Sequence, residues 1–98
     1  MYTIETTAEF DHWLNGIKDV KTRTRLAARL RKATLGNLGD VKGIGSGVFE
    51  MREHFGPGWR MYCLILDSLV VIMLCGGDKD SQQRDIAKAH ELSQQIYL

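Results

Sequence analysis

A short stretch of the chain places an arginine and a tyrosine directly after a tight turn. From Gly56 to Tyr62 the sequence reads Gly-Pro-Gly-Trp-Arg-Met-Tyr. Because strand side chains alternate between two faces, we expect Arg60 and Tyr62 on one face and Trp59, Met61 and Cys63 on the other. We expect the side chains of the apolar face to pack in the core. The other face then carries a guanidinium, a group well shaped to hold phosphate, and forms a candidate site.

A second motif, Gly76-Gly77-Asp78-Lys79, follows the most apolar run of the chain. It places Lys79 at the end of a predicted strand and just before a predicted helix. Backbone amides and an ammonium can hold a phosphate in that geometry. The alternative is an ordinary turn between strand and helix with a solvated lysine.

Three further polar residues fall on one side of the predicted strand from Val48 to His54, and they are Glu50, Arg52 and His54. Arg52 should reach the same surface as Arg60. Ion pairs on a solvated sheet face are the alternative for both arginines, with Glu50 or Glu53 as partner of Arg60. A histidine titrates near neutrality, so His54 is either a general base or a surface residue at the end of the strand.

The charges of the chain are segregated although the formal net charge is only +1. Ten basic and four acidic residues lie between Ile17 and Arg60. Four of the basic residues share one face of a predicted helix, and they are Lys21, Arg25, Arg29 and Lys32. This layout suits a protein that meets a polyanion with one surface, and the alternative is a solvated basic helix without a partner.

These residues must be positioned by a mixture of helices and strands. The patterns predict strands at Tyr2–Glu5, Val41–Ile44, Val48–His54, Trp59–Leu66 and Leu69–Cys75, helices from Thr6 to near Gly16 and from Asp19 to about Leu35, and a C-terminal helix capped by Asp80 or Ser81. The order is β-α-α-β-β-β-β-α. It predicts an α+β two-layer domain in which a mainly antiparallel, twisted sheet packs against a helical hairpin.

Composition is typical of one soluble globular domain spanning residues 1–98, with 44% hydrophobic and 26% charged residues. The longest apolar run, Leu69 to Cys75, is too short to cross a bilayer, and the N-terminus has no signal-peptide pattern. Cys63 and Cys75 lie in apolar segments without metal-ligand spacing. We therefore expect reduced core cysteines, a cytoplasmic protein, and no metal, cofactor or membrane partner.

Four motifs in this order resemble those of the RelE/ParE toxin superfamily, and in particular its HigB-like branch of addiction module killer proteins. The motifs are Gly36–Lys42, Glu50–Arg52, Gly56–Tyr62 and Gly76–Lys79. The resemblance covers nearly the whole chain. It implies a RelE-like fold and a toxin of a bacterial type II toxin-antitoxin system. Relatives of that kind commonly cleave mRNA on the translating ribosome and are silenced by an antitoxin that is encoded beside them.

The resemblance also implies a metal-independent chemistry. RNA is cleaved when its 2′-OH attacks the neighbouring phosphorus, which requires a base, an acid and cations that stabilise the phosphorane. Arg60 aligns with the arginine that stabilises the transition state in the family. The implied catalytic set is Arg60, Arg52, Lys79, Tyr62, Lys42 and His54. Tyr62 would stack on a base or orient the 2′-OH, and core packing is its alternative role.

The implied partners are the ribosome, mRNA and a cognate antitoxin, expected to be a helix-turn-helix protein that can form a hetero-oligomer with the toxin. The basic helix face would contact ribosomal RNA. Two alternatives remain: a ParE-like inhibitor of DNA gyrase that acts by protein contact, and a nucleic-acid-binding remnant without toxicity. Two departures from the family pattern are Trp59, where a tyrosine is usual, and Asp80, which lies beside Lys79 and would weaken its hold on phosphate.

Overall fold

A computed structural model describes residues 1–96 of the 98-residue chain. The described elements are β1 (Thr3–Thr6), α1 (Ala8–Gly16), α2 (Val20–Thr34), β2 (Val41–Gly45), β3 (Val48–Arg52), β4 (Arg60–Leu66), β5 (Val70–Gly77) and α3 (Gln82–Ile96). The predicted order of elements is confirmed. Among these residues no helix combines the length and the apolar character needed to span a bilayer.

The five strands form one sheet in the order β1-β5-β4-β3-β2. β1 runs parallel to β5, and the other three pairings are antiparallel, so the predicted mainly antiparallel sheet is confirmed. β2, β3, β4 and β5 follow one another as neighbours in the sheet, joined by short turns at 46–47 and 67–69 and by a longer connection at 53–59. The β3–β4 turn contains Gly56 and Gly58, both at positive φ, where a side chain would be strained.

One face of the sheet packs against α1 and α2. Phe10 of α1 and Leu26 of α2 are fully buried there against Met51, Met61 and Cys63. Alternation along β4 places Met61 and Cys63 on this face, as predicted. Trp59 also packs against this cluster, and its ring meets Trp13 edge-on with centroids 6.2 Å apart.

The opposite face packs against α3, so the domain has three layers and the prediction of two was wrong. Ala89 of α3 is buried against Tyr62, Leu64 and Leu74. The physical reason is that β4 and β5 are apolar on both faces, and each face must be covered. The alternation that sends Met61 to one helical layer sends Tyr62 to the other.

The glycine pair at the end of β5 lets both helical layers approach the sheet. A Cβ at Gly76 would overlap the ring of Trp13 on α1, and a Cβ at Gly77 would overlap the carboxylate of Asp85 on α3. Neither glycine has a positive φ. Their role is therefore close packing of one helix on each side of the strand.

Both cysteines are buried and free, as predicted, and they lie on opposite faces of the sheet. Burial raises the pKa of each thiol to about 12 from 9.0. Neither thiol is therefore ionised near neutral pH, and both belong to the core.

Candidate functional site

Two arginines lie directly opposite each other at the end of the β3–β4 hairpin that is closed by the turn. The strand register pairs Arg52 with Arg60, and Arg60 with Gly77 on the other side. Directly opposed residues of antiparallel strands project from the same face, here the face that also carries α3. Like charges in this position destabilise a sheet, so the pair is unfavourable unless an anion lies between or above the two side chains.

Arg60 is only 9% exposed and has no ion-pair partner among residues 1–96. Its Nη1 donates to the carbonyl oxygen of Gly58 at 2.7 Å, and its Nε is buried without an acceptor in the described part of the chain. The ion pair considered from sequence is not formed, because Glu53 pairs with Arg29 and Glu50 accepts hydrogen bonds from Tyr62 and Gln82. A buried guanidinium with an unused donor is suited to an anionic ligand.

Lys79 reaches the same place from the segment before α3. A Cβ built on Gly58 would lie 2.6 Å from Arg60 Nη1 and 3.4 Å from Lys79 Cβ, so both side chains flank this glycine. A pocket of about 230 Å³ lies here, lined by Glu53, His54, Gly56, Pro57, Gly58, Arg60 and Lys79. The structure thus brings Arg60 and Lys79 together, as the two sequence motifs predicted.

The expected cradle of backbone amides around Lys79 is not present. The amides of Asp80 and Ser81 donate to Oδ1 of Asp78 at 2.9 and 3.2 Å, and the amide of Lys79 points to the carbonyl of Pro57. An aspartate carboxylate therefore occupies the place that a phosphate would take. Lys79 remains exposed, and it contributes through its ammonium alone.

His54 and Arg52 share one carboxylate. Asp40 Oδ2 lies 2.7 Å from His54 Nε2, and its Oδ1 accepts a hydrogen bond from Arg52 Nη2 at 3.0 Å. These two hydrogen bonds, that of His54 first, lower the pKa of Asp40. Sequence reasoning gave Asp40 no role, although the residue lies in the Gly36–Lys42 motif.

A second pocket, of about 350 Å³, begins at His54 and extends toward α2. Its lining residues are Arg25, Ala28, Arg29, Lys32, Asn37, Gly39, Asp40, Arg52, Glu53 and His54. Glu53 and His54 line both pockets, so His54 lies where the two meet. The guanidinium of Arg25 stacks on Phe55 with Cζ 3.7 Å from the ring centroid, which holds this cation beside the pocket.

Only part of the predicted basic face of α2 is exposed to solvent. Lys21, Arg25 and Lys32 are exposed, but Arg29 is only 8% exposed. The Arg29 guanidinium donates to the carbonyl oxygens of Leu38, Asp40 and Arg52 and pairs with Glu53. The prediction that Arg29 contacts RNA was wrong, because this residue fastens the chain after α2 to the end of β3.

Tyr62 does not present its ring to a ligand. It is fully buried under α3, and its hydroxyl donates to Glu50 Oε2 at 3.1 Å. Burial, followed by the charge of Glu50, raises the pKa of the phenol. The expected stacking on a base or contact with a 2′-OH is therefore corrected to the alternative, a core residue.

Lys42 is exposed on β2, and the register places it opposite Glu50. It carries no ion pair among the described residues. Glu50 itself is buried and accepts from Gln82 Nε2 at 2.8 Å, which ties α3 to the sheet beside the arginine pair. Lys42 thus lies at the margin of the cationic region formed by Arg52, Arg60 and Lys79.

No protein-family model matches the chain. An uncharacterized protein of Haemophilus influenzae strain Rd is 40% identical over 95 residues, which are 97% of this chain and 96% of the relative. Two solved structures are similar in fold. A free-state double mutant of the Escherichia coli toxin RelE has a TM-score of 0.71 at 14% identity and covers 97% of each chain. A chain of the intact E. coli RelBE toxin-antitoxin complex has a TM-score of 0.65 at 15% identity, with 80% of this chain and 96% of that chain covered. The chain therefore belongs to one family with the H. influenzae protein, and its fold is that of RelE.

Proposed function

We propose that the chain is the toxin of a type II toxin-antitoxin system and that it inhibits translation by cutting mRNA on the ribosome. The fold it shares with RelE supports this proposal, and so do the four motifs that resemble the HigB-like branch. A cognate antitoxin would neutralise it, in keeping with the toxin-antitoxin complex in which RelE occurs.

The observation that carries the proposal is the cationic cluster at the turn end of the β3–β4 hairpin, where Asp40 pairs with Arg52 but not with Arg60. Arg60 lies opposite Arg52 in register and beside Lys79 across Gly58, without a carboxylate partner in residues 1–96. Such a cluster costs free energy in the unliganded protein. A phosphorane, which carries an extra negative charge, would relieve that cost in the transition state.

Each cation has a distinct part in this proposal. The Arg60 fork would hold the equatorial oxygens of the phosphorane, because its side chain lines the pocket and has no carboxylate partner in residues 1–96. The Lys79 ammonium would stabilise the charge on the departing 5′-oxygen. Arg52 and the marginal Lys42 would bind neighbouring phosphates. The ribosome would hold the mRNA in the geometry for attack, since the site offers few groups that orient a nucleotide.

The exposed cations of α2 would contact ribosomal RNA. Lys21, Arg25 and Lys32 would supply an affinity that is independent of sequence and falls steeply with salt. Arg29 is excluded from this set by its burial. Because Arg25 and Lys32 line the larger pocket, the same surface would lead a nucleic-acid strand toward His54.

Brief expression in bacteria, followed by mapping of mRNA ends, tests the proposal. The wild-type protein should produce new ends within translated messages, and Arg60→Ala should abolish them. Arg31→Ala is the matched control, since Arg31 is an exposed arginine on α2 that lines neither pocket. Circular dichroism of the purified variants would show that both fold.

Intact messages together with DNA damage and blocked replication would contradict the proposal. They would favour the alternative of a ParE-like gyrase inhibitor, which needs no converging cations. Intact messages and normal growth would instead indicate a nucleic-acid-binding remnant.

A further inference from the structure

The Asp40–His54 contact fixes which ring nitrogen of His54 faces solvent. A carboxylate can only accept a hydrogen bond, and Asp40 Oδ2 lies 2.7 Å from Nε2, so Nε2 carries the proton. When the ring is neutral, Nδ1 holds a free lone pair. The side chain is 71% exposed, and that nitrogen is accessible to a substrate.

Three hydrogen bonds hold Asp40 in place, in addition to its contact with His54. Its carboxylate accepts from Arg52 Nη2, and its backbone oxygen accepts from the amide of Arg52 at 3.0 Å and from Arg29 Nη2 at 2.6 Å. The low pKa of this carboxyl keeps it ionised at neutral pH. Asp40 is therefore a fixed acceptor, and it can set both the tautomer and the orientation of the imidazole.

We propose that His54 is the general base of the RNA cleavage reaction and that Asp40 is its positioning residue. This inference rests on the proposed function and deepens it by assigning the proton transfer. His54 lines the pocket that contains Arg60 and Lys79, which places an imidazole beside the cations that would hold the phosphate.

The other acid-base groups of the cluster are poorly placed for this step. Tyr62 is buried, and its raised pKa keeps the phenol protonated. Glu50 is buried under α3, where it accepts hydrogen bonds from Tyr62 and Gln82. An ammonium has no lone pair, so a protonated lysine can act as an acid and not as a base. Glu53 lines the pocket, but its carboxylate pairs with Arg29 Nη1 at 2.8 Å. His54 is left as the exposed group of the pocket that offers a ring nitrogen as a base.

The step balances without a further reactant. Nδ1 of His54 takes the proton of the 2′-OH while the 2′-oxygen forms a bond to phosphorus. The bond between phosphorus and the 5′-oxygen breaks, and that oxygen takes a proton from the Lys79 ammonium. The products are a 2′,3′-cyclic phosphate and a 5′-OH end, and solvent returns the proton from His54 to Lys79.

Cleavage of a defined message by the full-length protein on purified translating ribosomes tests this proposal. His54→Gln should lower the cleavage rate by about 10²- to 10⁴-fold, the usual contribution of a general base. Asp40→Asn should lower it about tenfold or more. His12→Gln and Asp11→Asn are the matched controls, because both residues are exposed on α1 and line neither of these two pockets, and their rates should stay at the wild-type value.

The pH dependence separates a base from a structural histidine. The wild-type rate should rise with pH, because the reaction needs a deprotonated base, and this rise should be absent in His54→Gln. The charged groups that line the two pockets and therefore act on the imidazole are Asp40, Arg52, Glu53, Arg60, Lys79, Arg25, Arg29 and Lys32.

Nitrogen-15 NMR of the ring gives a readout that does not depend on activity. We expect the neutral His54 ring in the Nε2–H form, and we expect Asp40→Asn to increase the share of the Nδ1–H form, since the carboxylate that selects Nε2–H is gone. A wild-type rate in His54→Gln would overturn the general base while leaving the proposed function intact. An unchanged rate and an unchanged tautomer ratio in Asp40→Asn would overturn the positioning role. Absence of cleavage by the wild-type protein would overturn the proposed function itself, and the general base with it.

Discussion

Arg52 on β3 and Arg60 on β4 lie directly opposite each other, and only Arg52 has a carboxylate partner in the described chain. Arg60 keeps a buried Nε without an acceptor there. Two guanidinium groups in this relation repel each other in the free protein, and they would both gain from an anion. The cluster should therefore respond to simple anions even when no RNA is present.

Phosphate should stabilise the folded protein more than chloride does at equal ionic strength. An anion that binds only the folded state raises the free energy of unfolding, by about 1.4 kcal/mol at a concentration tenfold above its dissociation constant. Thermal unfolding in the two salts measures the difference. Phosphate also stabilises proteins in general by exclusion from their surfaces, and Arg60→Ala provides the control. An equal gain in the variant would mean that the arginine pair does not bind the anion.

Arg29 and Arg25 lie on the same helix, yet their replacement should have different effects. Arg29→Ala removes a buried cation that holds three carbonyl oxygens and Glu53, so we expect a loss of about 3–5 kcal/mol in unfolding free energy. Arg25→Ala removes an exposed contact with Phe55, worth about 0.5–1 kcal/mol. Urea denaturation of both variants tests this expectation, and similar losses would contradict the assignment of Arg29 to the structure.

The sequence was sufficient for the order of elements and for the two faces of β4. Both rest on short-range periodicity, which places Met61 and Tyr62 on opposite sides whatever packs there. The layer count was not predictable in the same way. An apolar stripe on α3 must pack against the sheet, but it does not specify which face of the sheet. The sequence therefore left two positions for Tyr62, one at the surface and one in the core.

The wrong prediction for Arg29 and the missed role of Asp40 have one cause, which is contact between residues far apart in the sequence. A helical wheel puts Arg29 beside Arg25, but the segment containing Leu38 and Asp40 folds back over Arg29 and buries it. The same fold-back brings Asp40 to His54, 14 positions away in the chain. Neither contact has a local sequence signal. Arg60 and Arg52 could be foreseen because hairpin pairing follows from the turn between them.

Gly58→Ala should damage the site by displacing a cation. Gly58 has φ +79, and a Cβ there would lie 2.6 Å from Arg60 Nη1. We expect loss of mRNA cleavage together with a stability loss of about 1 kcal/mol or more. Gly47→Ala is the matched control, since Gly47 has φ +77 and, among residues 1–96, its Cβ would meet only Leu64 at 3.4 Å. Its stability loss should be similar, and its activity should persist below its melting temperature. Equal activity in the two variants would show that the position of Arg60 does not limit cleavage.

Stability should fall as pH rises above about 9, because three buried groups keep their protons in the folded state. Burial raises the pKa of Cys63 and of Cys75 from 9.0 to about 12, and burial with the charge of Glu50 raises that of Tyr62 above 10.0. Each raised pKa contributes stability that is fully present below the unfolded value. That contribution is lost as the pH rises toward the folded value, since the unfolded chain gives up its protons first.

Urea unfolding across this pH range, followed by phenolate absorbance, measures the effect for Tyr62. As the pH rises above 10, the folded protein should form fewer phenolates than the unfolded protein, and the difference should approach one. Tyr62→Phe should remove that difference and make the fall in stability with pH less steep. Tyr62→Phe should also retain mRNA cleavage, because the hydroxyl meets Glu50 beneath α3 and not the pocket of Arg60. Loss of cleavage in a folded Tyr62→Phe protein would show that the Tyr62 hydroxyl takes part in cleavage. In that case α3 would have to move away from the sheet when substrate binds, so that the hydroxyl could reach the substrate.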